Sequence, residues 1–451
     1  MTSHALVSLL VMSLIAAPAA ALAALGLPAL FGRSWSERTA ASLVSGCLFA
    51  SFAAGVVTLL VLVLRGFEPV VVHVGNWFSV GHHEASINLV ADALSIPYVC
   101  FSSGLCALVS SFSAKYVHRE RGFMRFFMLM SLFGAGMNLL VLADSMDMMF
   151  VGWECVGLSS ALLIGFFHDR ETAVRSALRA FATYRVCDVG LLTASVIVHR
   201  LNGTGDFEAL FTTNWPSGQC LLSHGSAEVV ALLLVFAALG KSAQVPFSGW
   251  LPRAMEGPTP SSAIFYGALS IHAGAYVLLR CESILDEAPV ARAVLLVVAV
   301  VSALHASFVG RVQTDFKCML AYASMAQASL ILVEIALGWR VIPLIHVVSH
   351  AILRSLQILR SPSALHDRHE LESALGGHPS VGEWSPGVGV PATWQRFWYG
   401  VALERGYEDM LVFRYVVRPI GRALEAANRA ESAWSVWLAR KLDRRADRRH
   451  G

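Results

Sequence analysis

Eleven stretches of about 20 mainly apolar residues recur along this chain, the length an α-helix needs to cross hydrocarbon. They lie at 5–27, 39–64, 91–114, 123–143, 148–167, 179–199, 227–250, 260–281, 290–310, 317–337 and 341–360. In lipid every backbone polar group must be bonded within its own segment, so such runs fold as helices. The expected fold class is therefore an all-α polytopic membrane protein, with a broken seventh helix and amphipathic cytoplasmic helices at the C-terminus. Composition agrees: 56% of the 451 residues are hydrophobic and 14% charged. Mean hydropathy is +0.60. A soluble multidomain enzyme, a disordered regulator and a nucleic-acid binder are excluded, and a net charge of +3 implies no polyanionic partner.

Residues 1–10 carry no Lys or Arg, so the first run reads as a true span rather than a signal peptide. Charge concentrates at the other end. Residues 361–451 hold 13 Lys and Arg and 11 Asp and Glu, against 21 and 20 in the first 360. Three regions follow: N-terminal helices over 1–90, a core over 91–360 and a water-facing tail over 361–451. With the N-terminus placed outside, the cytoplasmic connections carry 13 basic residues and the outer ones 5, namely Arg65, Arg200, Arg280, Arg292 and Arg340. By the positive-inside rule the N-terminus is then periplasmic and the tail cytoplasmic, as in a multi-pass protein of the cell inner membrane.

The eight cysteines are scattered and form no C-x-x-C pair, which suggests no zinc or iron–sulfur site in this chain. Ionisable residues inside the spans are more telling, because burying them in lipid is costly. Glu154 lies within Gly152-Trp153-Glu154-Cys155-Val156-Gly157. Arg185 and Asp188 are three apart and share a helix face, as a supporting ion pair or a purely structural one. His272 falls in the eighth span. His346, His350 and Arg354 recur every fourth residue down the last. Lys241 stands within the seventh span of a chain that has 30 Arg and only 4 Lys. Arg keeps its proton in proteins, whereas a buried lysine can give its proton up. A lysine retained there suits a group that exchanges protons, and the expectation is that it alternates between pairing with Glu154 and passing a proton toward Lys317 and the histidine stripe.

Pro246, Pro252, Pro258 and Pro260 follow directly, with Gly249 and Gly257 between them, and forbid a continuous helix. Broken helices at membrane depth are tolerated only against protein or a water cavity, and mark transport sites in many carriers. In the tail, Gly and Pro punctuate a loop over 376–391. Trp394, Phe397, Trp398 and Val401 then repeat with helical spacing, and Ile420, Leu424, Ala427, Trp434 and Leu438 form a second stripe. These aromatic residues are candidates for partner docking. The basic residues within 440–449 suit lipid head groups.

These motifs resemble the proton-conducting membrane family that includes the antiporter-like subunits of respiratory complex I and the large subunits of Mrp-type cation/proton antiporters. The resemblance covers about residues 90–360. Glu154 in its glycine-flanked run matches the fifth-helix glutamate motif. Gly240-Lys241-Ser242-Ala243-Gln244, then Pro246, Trp250-Leu251 and Ala254 through Pro260, matches the seventh-helix lysine motif. Gln313 through Lys317 with Leu320-Ala321-Tyr322 matches the tenth-helix lysine motif, and His346 with His350 the paired histidines of the eleventh. The departures are Tyr266 at a usual histidine, Arg354 at a usual lysine, and no further buried-lysine helices after Arg360. Together with Ala402 through Tyr407, Val416-Val417-Arg418-Pro419 and Leu365-His366-Asp367, they resemble the DabB membrane subunits of inorganic-carbon accumulation complexes. That resemblance implies a transporter subunit rather than an enzyme, with no cofactor of its own. It also implies a partner DabA carrying the zinc, and H⁺ or Na⁺ passed down its gradient to drive CO₂ hydration and bicarbonate accumulation. The alternative is a subunit of a respiratory complex I or Mrp-type antiporter.

Overall fold

The computed structural model describes residues 3–80, 83–213, 215–361 and 392–450. The chain divides into two compact units, Met1–Trp384 and Ser385–Gly451. The first is a mostly helical membrane bundle with eleven helices long and apolar enough to span, among the described residues. They are α1 (Ser3–Leu30), α2 (Glu37–Leu64), α3 (Ser95–Tyr116), α4 (Phe123–Leu142), α5 (Met146–Ile164) and α6 (Glu171–Asn202). The rest are α7 (His224–Lys241), α8 (Thr259–Arg280), α9 (Pro289–Gly310), α10 (Phe316–Ala336) and α11 (Val341–Leu359).

Local sequence sets the ends of these helices. Ser36, Ser145 and Asp315 are N-caps whose side chains accept the first free backbone N–H groups, at 3.1, 3.2 and 2.8 Å. Gly203 closes α6 with φ of 77°, a conformation that favours glycine. Polar cross-links fix neighbours: Asn138 on α4 donates to the Leu14 carbonyl on α1 at 2.7 Å and accepts from Ser103 on α3 at 3.1 Å.

Four features depart from the pattern in the sequence. Residues 70–91, where only N-terminal helices and a connection are expected, form an antiparallel hairpin, β1 (Val70–Val80) and β2 (His83–Ala91), paired from Val70 with Ala91 inward. Helix α6 begins at Glu171 rather than 179, because the polar turn bearing Arg175 and Arg179 is helical outside the apolar run. Helix α7 stops at Lys241 rather than running on to 250. The backbone turns at Ser242–Ala243, with Ala243 at φ of 53°, and Pro246 then prevents resumption. Finally, α8 is not α-helical throughout. It passes through a π turn at Ala263–Ala268 and a 3₁₀ turn at Ser270–His272 before regular winding resumes at Ala273.

The hairpin marks one end of the bundle. There Ser86 donates to Asp206 at 2.6 Å, the Asp144 amide donates to the Asn88 carbonyl at 3.0 Å, and Arg280 pairs with buried Asp92 at 2.5 Å. The opposite end is basic, with Lys115, Arg125, Arg170, Arg253, Arg311 and Lys317. Burial sets a centre and a rim. The most apolar window of α8 is wholly buried, whereas α1, α2 and α9 bury 28% of theirs and turn Leu9, Leu60 and Leu304 outward. Such outward apolar faces suit lipid.

The second unit holds α12 (Ala392–Leu403) and a long α13 (Arg418–His450), linked by short helical turns. Trp394, Phe397, Trp398 and Trp434 are all exposed, the least of them by 46%. The 376–391 loop and the Leu365-His366-Asp367 motif lie outside the described residues, as do the side chains of 440–449.

Candidate functional site

The break after α7 places two polar clusters in the bundle, and most of the sequence-derived candidates fall in one or the other. The first joins α5, α6 and α7. Lys241 is 1% exposed. Its Nζ donates to the Trp153 carbonyl at 3.2 Å and lies 4.6 Å from the Trp153 ring centre and 4.5 Å from that of Tyr184. Two aromatic faces and one carbonyl thus hold the ammonium, a cation–π arrangement that strengthens as water is excluded. A Cβ on Gly157 would lie 2.6 Å from that Nζ, so the glycine makes the room.

The expected Glu154–Lys241 pairing is corrected here. The Glu154 carboxylate is held by Arg185, which also reaches Asp188 at 2.6 Å. Arg185 is the longer fork, three residues before Asp188 on α6, and it spans both acids. Asp188 in turn accepts the Trp153 indole N–H. Lys241 therefore faces a Glu–Arg–Asp triad through Trp153, rather than pairing with Glu154 alone. The second Glu154 oxygen is buried with no hydrogen-bond partner.

The break itself is held by the motif around it. Trp250 donates back to the Gly240 carbonyl at 3.0 Å, Gln244 accepts from Ser329 on α10 at 2.8 Å, and Ser242 donates to the Ile271 carbonyl at 2.8 Å. Pro252, Pro258 and Pro260 are buried, whereas Pro246 is exposed.

The second cluster lies between α8, α10 and α11. His272 Nε2 is 2.9 Å from His350 Nδ1, and Arg354 Nε approaches His350 Nε2 at 3.5 Å. All three residues are buried. His346, one turn along from His350, bonds elsewhere: Nδ1 to Glu334 at 2.8 Å and Nε2 to Gln327 at 3.0 Å, both on α10. Toward the basic end, Lys317 donates to Thr259 at 2.9 Å, and Thr259 also meets Tyr116 at 2.9 Å. Between the clusters, Ser160 reaches Ser270 at 3.4 Å, and the rings of Tyr184, Trp250 and Tyr266 follow one another at 4.9 and 5.6 Å.

Sequence reasoning missed Glu334 and Gln327, although Glu334 is an acidic residue inside the tenth span and answers to the rule that singled out Glu154. It also missed Asp147, which holds Ser195 and His199 on α6, because Asp147 begins a span and reads as part of a connection. Among the described residues no group of three or more His, Cys, Asp or Glu could hold a metal ion.

Residues 143–375 match the family described as NADH:quinone oxidoreductase/Mrp antiporter, transmembrane. Residues 77–127 match the N-terminal family of complex I chain 5. The chain is 35% identical to NADH-quinone oxidoreductase subunit L of Escherichia coli, over 64% of this chain and 47% of that one. It is 33% identical to NADH-ubiquinone oxidoreductase chain 5 of Metridium senile, over 75% and 55%. The chain thus spans about half the length of the curated relatives it matches. Among solved structures, the Mrp complex from Dietzia superposes with a TM-score of 0.66 at 26% identity, covering 86% of this chain and 39% of that one. The fold is also that of a chain in an archaeal membrane-bound sulfane sulfur reductase, at a TM-score of 0.68 and 17% identity. With the matched region taking in Glu154, Lys241, Lys317 and the α11 histidines, the chain belongs to the NADH:quinone oxidoreductase/Mrp antiporter family of membrane proteins.

Proposed function

We propose that this protein is an antiporter-like subunit that conducts protons within a larger membrane complex of the respiratory or Mrp type. The observation that carries the reading is Lys241: a fully buried ammonium at a helix break, held by two rings and a carbonyl, beside a Glu–Arg–Asp triad. The rings and the carbonyl hold the ammonium, and movement of the neighbouring charges changes how firmly it keeps its proton. Protons then pass across the Ser160–Ser270 contact to His272 and His350. Relatives of this chain work within multisubunit assemblies, as the Mrp complex does, which supports partner subunits here too.

Lys241→Arg keeps the cation but not the exchangeable proton, and Lys241→Met removes both. With complex yield as control, both variants are expected to lose proton translocation by roughly 10²-fold or more in reconstituted vesicles. Near-normal translocation by Lys241→Arg would replace the relay with a fixed charge.

A second reading makes the chain the membrane subunit of an inorganic-carbon pump, with DabA as zinc-bearing partner and H⁺ or Na⁺ as coupling ion. The tail residues Ala402–Tyr407 and Val416–Pro419 support it by their resemblance to that family. Purification through this chain separates the two readings: respiratory or antiporter subunits favour the first, and a carbonic-anhydrase-like zinc protein the second.

A further inference from the structure

The two clusters above leave one end of the path open. A proton at His350 must still reach water, and the hairpin end is where α10 finishes and α11 begins. Glu334 stands in the last turn of α10, and His346 in the second turn of α11. Their 2.8 Å contact is nearer that end than the His272–His350 pair. We propose that Glu334 is the terminal carboxylate of this path, exchanging protons between His346 and water at the hairpin end. The proposal rests on the ion-path reading of Lys241.

Three observations carry it. First, a carboxylate within a span is costly unless it is paired, and this one is paired with a residue that can itself carry or lack a proton. Arg is the ordinary choice for a static pair, and the chain has 30 of them. Second, His346 is bonded at both nitrogens, by Glu334 and by the Gln327 amide at 3.0 Å. The pair therefore has two states one transfer apart. In one, an imidazolium faces a carboxylate. In the other, the Nδ1–H bond has broken, an O–H bond has formed on Glu334, and the ring is neutral. Third, the Glu334 side chain keeps 17% of its surface exposed and its other oxygen has no hydrogen-bond partner, so a proton taken up by the carboxyl is not locked to a second group. The neutral His346 then accepts the next proton from His350, one turn deeper on the same helix. His272 Nδ1, likewise buried without a partner, extends the line inward. The turn after Glu334 carries Arg340, whose guanidinium binds Glu282 and Asp286, so the exit opens onto a charged surface.

The test uses the full complex, purified through this chain and reconstituted in liposomes with a pH-sensitive dye. Glu334→Gln keeps volume and polarity but cannot take up a proton; Glu334→Asp keeps the carboxylate. The expected result is normal assembly for both, with flux down by about tenfold or more for Glu334→Gln and clearly higher for Glu334→Asp. Flux of Glu334→Gln within about twofold of wild type, while Lys241→Met is silent, overturns this proposal alone. Flux retained by Lys241→Met overturns the ion-path reading and this proposal together. If Glu334→Gln fails to assemble, Glu334→Cys in a chain freed of its eight native cysteines gives an independent answer. Reaction with an impermeant thiol reagent applied from the hairpin end supports the exit, and protection from that side refutes it.

Discussion

At the scale of single residues, two buried carboxyl groups at the hairpin end tie stability to pH. Asp144 lies between α4 and α5, 2% exposed. Burial pushes its carboxyl up to about 7; Arg280 opposes that shift, and Glu208, Asp206 and Asp92 add to it. The sign follows from comparing states. An unfolded aspartate releases its proton near 3.8, the folded one only near 7, so stability present in acid is lost as pH rises through that interval. Glu282, likewise buried and raised to about 7 with Arg340 opposing, adds to the same trend. Asp144→Asn removes one share of it. The variant is expected to unfold at a higher temperature than wild type at about pH 8 and to differ little at about pH 4, read by thermal unfolding in detergent. A variant no more stable than wild type in base counts against this account. Residue chemistry of this kind was only partly legible beforehand. The sequence marks Glu154, Lys241 and the histidines because charge in an apolar run is conspicuous. It does not tell which acid takes which base: Arg185 reaching Glu154 depends on how α5 and α6 face each other, which no spacing encodes.

At the scale of elements, the spans were readable almost to the residue wherever a run of one character ends at a cap or a proline. The misses have physical reasons. The first strand of the hairpin opens on a run of three valines, Val70–Val72, rather than an alternation, and its partner alternates only over the short stretch Ala85–Leu89 behind the polar His83 and Glu84. The π turn of α8 leaves no compositional trace, since its residues are as apolar as their neighbours. Glycine at helix crossings is a further element-scale constraint. A Cβ on Gly152 of α5 would run into the backbone of Leu140 on α4, which cannot yield as a side-chain tip could. Gly152→Ala is therefore expected to separate those helices and cost about 1–3 kcal/mol. The readout is a lower yield of monodisperse protein in detergent. Gly225→Ala, which meets nothing within 4 Å, serves as control. Equal yields for the two would show that the α4–α5 crossing relaxes more easily than its backbone contact implies.

At the scale of the whole molecule, the basic bias gives an orientation that can be checked directly. In a chain lacking native cysteines, Arg170→Cys at the basic end and Arg429→Cys in the tail are expected to react with an impermeant thiol reagent from the cytoplasm only. Reaction of either from the periplasm inverts or breaks the eleven-span order. Removing residues 392–451 is expected to leave a membrane-inserted bundle while stripping most of the bound partner, because Trp394, Phe397, Trp398 and Trp434 are exposed. Full partner recovery with the truncated chain would locate docking elsewhere. The order of spans, the break and the charge asymmetry were all legible, because each is a one-dimensional property of the sequence. The lateral link between the two clusters was not, since it depends on which helices become neighbours. Helix α8 is buried on every side and carries a wide turn at Ala263–Ala268. A π turn takes up one extra residue, and unwinding it into ordinary helix rotates everything beyond by about 100°. His272 lies just past that turn and would swing away from His350. The central helix is in effect a cam: the one residue of slack held at its wide turn sets the rotation at which the two imidazoles meet.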